Sequence, residues 1–113
     1  MAKLKATPKN YAEALTTLNG KQSMRLGNNT YLEQRGLTER IAVRLHSTDV
    51  VVFYPSGRVT LHTGGYYSTT TKERLNQFIE PAAHVYQKAH KWYVLQGDVR
   101  LDFYEGFVLF PSL

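Results

Sequence analysis

The sequence predicts an α+β domain: a curved, mostly antiparallel β-sheet carrying two short helices. Three observations carry this reading. Two segments place apolar residues at helical spacing, most of the remaining chain falls into short alternating runs, and Pro55-Ser56-Gly57 joins two of those runs with hairpin chemistry. At 113 residues the chain has room for one core and not for two. Residues 1–113 are therefore read as one domain, with residues 1–20 as an N-terminal helical extension.

The first helix is predicted from Pro8 to Leu18, with Thr7 as its cap and Pro8 at the first helical position. Tyr11, Ala14, Leu15 and Leu18 fill the i, i+3, i+4, i+7 template, and Gly20 supplies a stop. Asn28-Asn29 then reads as a turn between extended segments at Met24–Leu26 and Tyr31–Gln34, and Gly36 opens a loop towards Arg40. Alternation is clearest next. Ile41, Val43 and Leu45 point one way, with Ala42, Arg44 and His46 opposite.

A run from Val50 to Tyr54 follows, then the Pro-Ser-Gly loop, then Arg58 to His62. A three-residue loop with Gly57 in the left-handed position sets Phe53 against Val59, Val52 against Thr60, Val51 against Leu61 and Val50 against His62. Keeping Val43 and Leu45 on the apolar face then predicts Leu45 opposite Val51 and Val43 opposite Phe53. Val50 and Val52 fall on the mixed face, which suggests that a helix partly covers it.

Gly64-Gly65 breaks the sheet, and a second helix is predicted from about Thr71 to Glu80, ended by Pro81. Thr70 and Glu73 have capping-box spacing, and Leu75, Phe78 and Ile79 form the apolar side. The remainder reads as strands. Val85–Gln87 and Lys91–Leu95 flank a polar turn, and Val99–Tyr104 and Phe107–Phe110 flank Glu105-Gly106.

Composition narrows the function. Eight tyrosines, five phenylalanines and one tryptophan argue against disorder, and the absence of cysteine excludes disulfides, thiolate metal sites and a cysteine nucleophile. No apolar run approaches the ~20 residues of a membrane helix, and residues 1–10 lack the apolar stretch of a signal peptide. A soluble protein with no membrane partner and a cytoplasmic location is expected. The charge of +5 is uneven: residues 1–46 hold eight basic and three acidic side chains, whereas the last sixteen residues hold one and three. An anionic partner, DNA or RNA, would prefer the N-terminal part.

Three constellations could carry chemistry. Arg44, Tyr54 and Arg58 interleave cations with a ring on the mixed sheet face, the combination single-stranded nucleic acid requires. The plainer reading is an ordinary half-buried strand surface. Gly64 to Lys72 leads a flexible turn into a helix N-terminus, where Lys72 and Arg74 would complete a phosphate seat; the alternative is a capped helix after a sharp bend. His46, Asp49 and His62 gather at one end of the hairpin in the predicted register. They form a candidate metal or acid–base nuclease site, against a reading of Ser47-Thr48-Asp49 as a simple turn. The turn reading leads for this trio, and neither a cofactor nor a metal is expected. His84 and His90 are isolated, and Trp92, Tyr93, Phe103, Tyr104, Phe107 and Phe110 read as core or as an aromatic contact patch.

Several phrases also go together: Lys21 to Leu32 (KQSMRLGNNTYL), Ile41 to Val52 (IAVRLHSTDVVV), Tyr54 to Gly65 (YPSGRVTLHTGG), Thr70 to Phe78 (TTKERLNQF), Trp92-Tyr93-Val94 and Glu105-Gly106. As a set they resemble a group of small uncharacterised proteins of tailed bacteriophages and prophages, over roughly residues 21–110. The resemblance implies a phage protein acting in a bacterial cytoplasm and carries no catalytic residue across. It leaves the first helix outside, as an addition. Three functions follow from these features. The leading one is a non-enzymatic accessory protein that binds nucleic acid. The second is a protein-binding module that acts on a host factor or on itself, as an inhibitor or a virion component. A His-dependent nuclease comes third.

Overall fold

The computed structural model describes residues 3–36 and 39–109, and among them two helices and nine strands build an α+β fold. In chain order these are α1 (Tyr11–Leu18), β1 (Ser23–Gly27), β2 (Thr30–Arg35), β3 (Arg40–Leu45), β4 (Thr48–Phe53), β5 (Val59–Leu61), α2 (Thr69–Ile79), β6 (Ala83–Lys88), β7 (Lys91–Gln96), β8 (Val99–Asp102) and β9 (Phe107–Val108). The strands divide into two antiparallel sheets, one ordered β1-β2-β3-β4-β5-β9 and the other β6-β7-β8.

Helix α1 starts later than Pro8. Asn10, not Thr7, is its cap, and its side chain accepts a 2.9 Å hydrogen bond from the Glu13 N–H. The Glu13 carboxylate accepts from the N–H of Lys9, the residue before the cap, at 2.9 Å, which ties the entering chain to the first turn. Asn19, in the left-handed conformation at φ 49°, ends it by donating back to the Leu15 and Thr16 carbonyls.

The Pro55-Ser56-Gly57 hairpin has the predicted register, Phe53↔Val59, Val52↔Thr60 and Val51↔Leu61, with Gly57 at φ 96°. The β3–β4 register differs from expectation. Val43 faces Val51 and Ile41 faces Phe53, because a two-residue turn at His46-Ser47 joins the strands where a longer Ser47-Thr48-Asp49 turn was expected. A bulge after Val43 then sets Arg44 against Asp49 and leaves Val50 unpaired with β3. Val50 thereby joins the apolar side and is buried in the core.

Paired residues share a face. One row across the larger sheet is Met24, Leu32, Val43, Val51, Leu61 and Phe107; the neighbouring row on the other face is Ser23, Glu33, Ala42, Val52, Thr60 and Val108. Both helices sit on the apolar face. Ala14 and Leu18 of α1 and Leu75, Phe78 and Ile79 of α2 belong to one buried cluster with Leu32, Val43, Val51 and Phe53. Helix α1 is thus part of the core, not an extension laid beside it.

The smaller sheet contributes Ala83, Val85, Trp92 and Val94 to that same cluster. Asn76 of α2 fastens it: its side-chain amide donates to the Val85 carbonyl at 2.9 Å and accepts from the Val85 N–H at 2.7 Å, occupying the outer edge of β6 there. Val99–Tyr104 and Phe107–Phe110 do not form the predicted hairpin. Strand β8 pairs with β7, the chain crosses at Glu105-Gly106, and β9 pairs with β5 in the larger sheet. Phe110 lies outside the described residues.

Candidate functional site

The corrected register separates the Arg44–Tyr54–Arg58 constellation. Arg44 pairs with Asp49, so Tyr54 stands five positions further along β4, on the order of 16 Å away. Tyr54 and Arg58 remain together across the hairpin, with the Arg58 guanidinium 4.3 Å from the Tyr54 ring centroid. Arg58 is exposed and has no carboxylate partner among the described residues.

Arg44 is engaged elsewhere. Its Nε and Nη2 each donate to Glu33 at 3.0 Å, its Nη1 donates to the His46 carbonyl, and its guanidinium lies 4.5 Å over the Tyr31 ring. Arg35 completes the network, donating bidentately to Asp49 at 3.0 and 2.6 Å while its Nη1 pairs with Glu33 at 2.9 Å. Two arginines therefore face two carboxylates, and the charges within this network balance, with Arg25 and Arg40 on the same sheet face. Ala42 and Val52 on that face are buried, outside the core cluster that holds both helices. The Arg44 hydrogen bonds hold the Glu33 carboxyl down at about 2, with Ser23 and Arg35 adding to the effect against the opposing cost of burial.

The Gly64–Lys72 segment is not a phosphate seat. The Glu105 carboxylate fills the turn, accepting from the Thr63 N–H at 2.8 Å, the Gly64 N–H at 2.9 Å, the Thr63 hydroxyl and the Tyr67 hydroxyl. Burial pushes the Glu105 carboxyl up, but these four donors outweigh it and leave the group below its ordinary value. Ser68, not Thr70, caps α2, accepting from the Thr71 N–H at 3.1 Å, so no Thr70–Glu73 capping box forms. Arg74 is buried at 4% exposure and bonds Thr30 at 2.8 Å and Gln77 at 2.9 Å. It is a core arginine, out of reach of an external anion. Lys72 donates to Gln87 at 3.3 Å and lies 5.4 Å from the Trp92 ring centroid.

His46, Asp49 and His62 are not assembled into a site. Asp49 is held by Arg35, His62 bonds Thr60 at 3.0 Å, and His46 occupies the β3–β4 turn at φ 54°. No cluster of three or more potential metal ligands exists among the described residues.

A different surface combines rings and cations. On the smaller sheet Tyr86 faces Tyr93, and Tyr93 faces Asp102; His84, Leu95 and Arg100 form the neighbouring row. Burial of Val85, Trp92 and Val94 turns this alternate set outward. The Tyr86 and Tyr93 rings are 5.5 Å apart and tilted by 30°, and His84 stacks on Tyr86 at 6.2 Å. The Arg100 guanidinium lies 4.7 Å, and the Lys91 ammonium 5.8 Å, from the Tyr93 ring centroid. The signal for this patch was present in the sequence as Tyr86, Tyr93 and Arg100. It becomes visible only when the two-residue turns at Ala89-His90 and Gly97-Asp98 fix the register.

The family model for the Kyanoviridae Gp96 protein, a tailed cyanophage protein, matches residues 7–109. The chain belongs to this family. No curated protein and no solved structure matches it. The match starts before α1 and ends after β9, so the first helix belongs to the Gp96 fold, in line with its place in the core. It also spans both sheets and the crossing at Glu105-Gly106. No helix among the described residues of this Gp96 family member is long and apolar enough to cross a membrane.

Proposed function

We propose that this phage protein is a non-catalytic accessory factor of the infected cell's cytoplasm that binds single-stranded nucleic acid across the outward face of β6-β7-β8. The observation carrying the reading is the Tyr86–Tyr93 pair, its rings 5.5 Å apart on an open face, with the Arg100 guanidinium against Tyr93; Lys91 lies against the same ring but is paired with Asp102 at 3.1 Å, so Arg100 is the principal cation there. Rings on a sheet surface stack bases without regard to sequence, and neighbouring cations hold the phosphates between them. Lys88 and His90, exposed at the β6–β7 turn, extend the basic border. The N-terminal arginines Arg35 and Arg44, although richer in charge, are neutralised internally.

The test is fluorescence anisotropy with labelled single-stranded DNA and RNA at low and moderate salt. Tyr93→Ala should weaken binding by about 1–3 kcal/mol, and Arg100→Ala should weaken it and flatten the log–log salt slope by roughly 0.7. Arg58→Ala, beside Tyr54 in the other sheet, should leave affinity unchanged. Loss of binding in Arg58→Ala with full binding in Tyr93→Ala would move the interface to the larger sheet. No binding at low salt would remove the nucleic-acid reading altogether.

A second reading, recognition of a protein, is favoured by the edge of the same sheet. Among the described residues strand β8 has no partner on its outer side, and Val99 and Leu95 are 46% and 38% exposed. Self-association through this edge would appear as a concentration-dependent shift on sizing that Val99→Lys abolishes.

A further inference from the structure

A cavity of about 390 Å³ opens between the β3–β4 turn and the segment leading into α2. Leu45 and Val50 form its aliphatic floor, and seven of its ten lining residues carry hydroxyls. No Lys, Arg, Asp or Glu lines it. The hydroxyls of Ser47, Thr48, Tyr66 and Thr70 and the ring of His46 make no hydrogen bond to any described residue. Tyr66, 67% exposed, stands at the rim with its ring uncommitted.

The wall is built for close approach. A Cβ on Gly64 would come within 2.8 Å of Thr48 Cγ2 and Oγ1, and Gly64 has φ +64°, so glycine lets this turn close against the hairpin. Glu105 holds the turn in place through Thr63 and Gly64. The helix terminus beside the cavity is already capped by Ser68.

We propose that this cavity binds a small, uncharged, polyhydroxylated ligand, a monosaccharide or disaccharide. The volume lies within the range of small-molecule pockets. An ionised ligand would lose its hydration without gaining a counter-charge. A sugar matches what is present, because its C–H face fits an aliphatic floor or an exposed tyrosine ring, and its hydroxyls exchange donors and acceptors with Ser47, Thr48, Thr70 and His46. The cavity shares no residue with the tyrosine face of the smaller sheet, so this site stands or falls separately from the nucleic-acid reading.

Amide NMR spectra of the full chain, titrated separately with glucose, galactose, N-acetylglucosamine, maltose and inorganic phosphate, test the site. At least one sugar should shift the amides of His46–Thr48 and Tyr66–Thr71, saturably. Tyr66→Ala, at an exposed position that folding does not need, should weaken that binding about tenfold. Thr48→Val, which keeps the shape and removes the hydroxyl, should weaken it too, and Lys21→Ala should not. The proposal is overturned if no sugar shifts these amides, if Tyr66→Ala binds as tightly as the parent, or if phosphate alone produces the shifts.

Discussion

Glu33 joins three partners through one carboxylate: Arg44, Arg35 and Ser23. Because Arg44 holds its carboxyl at about 2 against an ordinary value of 4.5, the folded state favours the ionised form. The sign follows directly. The stabilisation is complete above the unfolded carboxylate's value, near 4.5, and is lost as pH falls from there towards 2. The Glu33 side chain is 16% exposed and its arginine partners more so. Solvent screening therefore reduces the contribution to about 1–2 kcal/mol. Urea denaturation of Glu33→Gln should show that deficit at pH 7, and the gap to the parent should close between about pH 4.5 and pH 2. A gap that stays constant over that window would show that charge has no part in it. Glu105 shifts in the same direction, but its donors are backbone and hydroxyl groups, so raising the salt concentration should weaken the Glu33 network and spare the Glu105 turn.

At the scale of elements, capping distinguishes what the sequence displayed from what it concealed. Ser68 and Thr70 are both hydroxyl residues ahead of α2, and spacing to Glu73 favoured Thr70. The helix begins at Thr69, two residues before the predicted start, so Ser68 is the residue that stands at its N-cap. Ser68→Ala should therefore cost about 1 kcal/mol in chemical denaturation, while Thr70→Ala, at an exposed position, should stay within about 0.5 kcal/mol of the parent. Equal costs would mean that the cap is shared.

Strand pairing teaches a related lesson. The Pro55-Ser56-Gly57 hairpin was legible to the residue because proline and glycine fix its backbone. His46-Ser47 and Ala89-His90 form turns just as tight, with His46, Ala89 and His90 all at positive φ, but they lack Asn-Gly or Gly-Gly chemistry. That silence shifted the predicted β3–β4 register by two positions. An even shift preserves faces, so the sequence reading keeps Val43, Val51, Phe53 and Leu61 on the core side, but it misplaces Val50, which the bulge turns into the core, and the Arg44–Tyr54 juxtaposition. The tyrosine patch on the smaller sheet was hidden for the same reason. Arg74 misled differently: a lone arginine after a glycine-rich turn resembles an anion ligand until Thr30, far away in sequence, proves to be its partner.

At the scale of the whole molecule, two sheets and two helices share one core. Leu18 of α1, Phe53 of β4, Phe78 of α2, Phe107 of β9 and Trp92 of β7 belong to a single buried cluster. The aromatic contacts continue across the junction, since Phe103 lies 5.8 Å from Trp92 and 6.3 Å from Phe107. A domain with one core unfolds in one step. The chain has a single tryptophan, and it sits in the sheet that does not contain the strands beneath α1, so its fluorescence reports whether the two ends are coupled. Leu18→Ala should destabilise by about 2–5 kcal/mol, against less than about 0.5 kcal/mol for Leu15→Ala on the exposed side of the same helix. In Leu18→Ala the tryptophan and far-ultraviolet circular dichroism transitions should move together to lower denaturant. If the dichroism signal moved and the Trp92 transition stayed where it is in the parent, the first helix would be an appendage after all, and the two sheets would have to be treated as separate folding units.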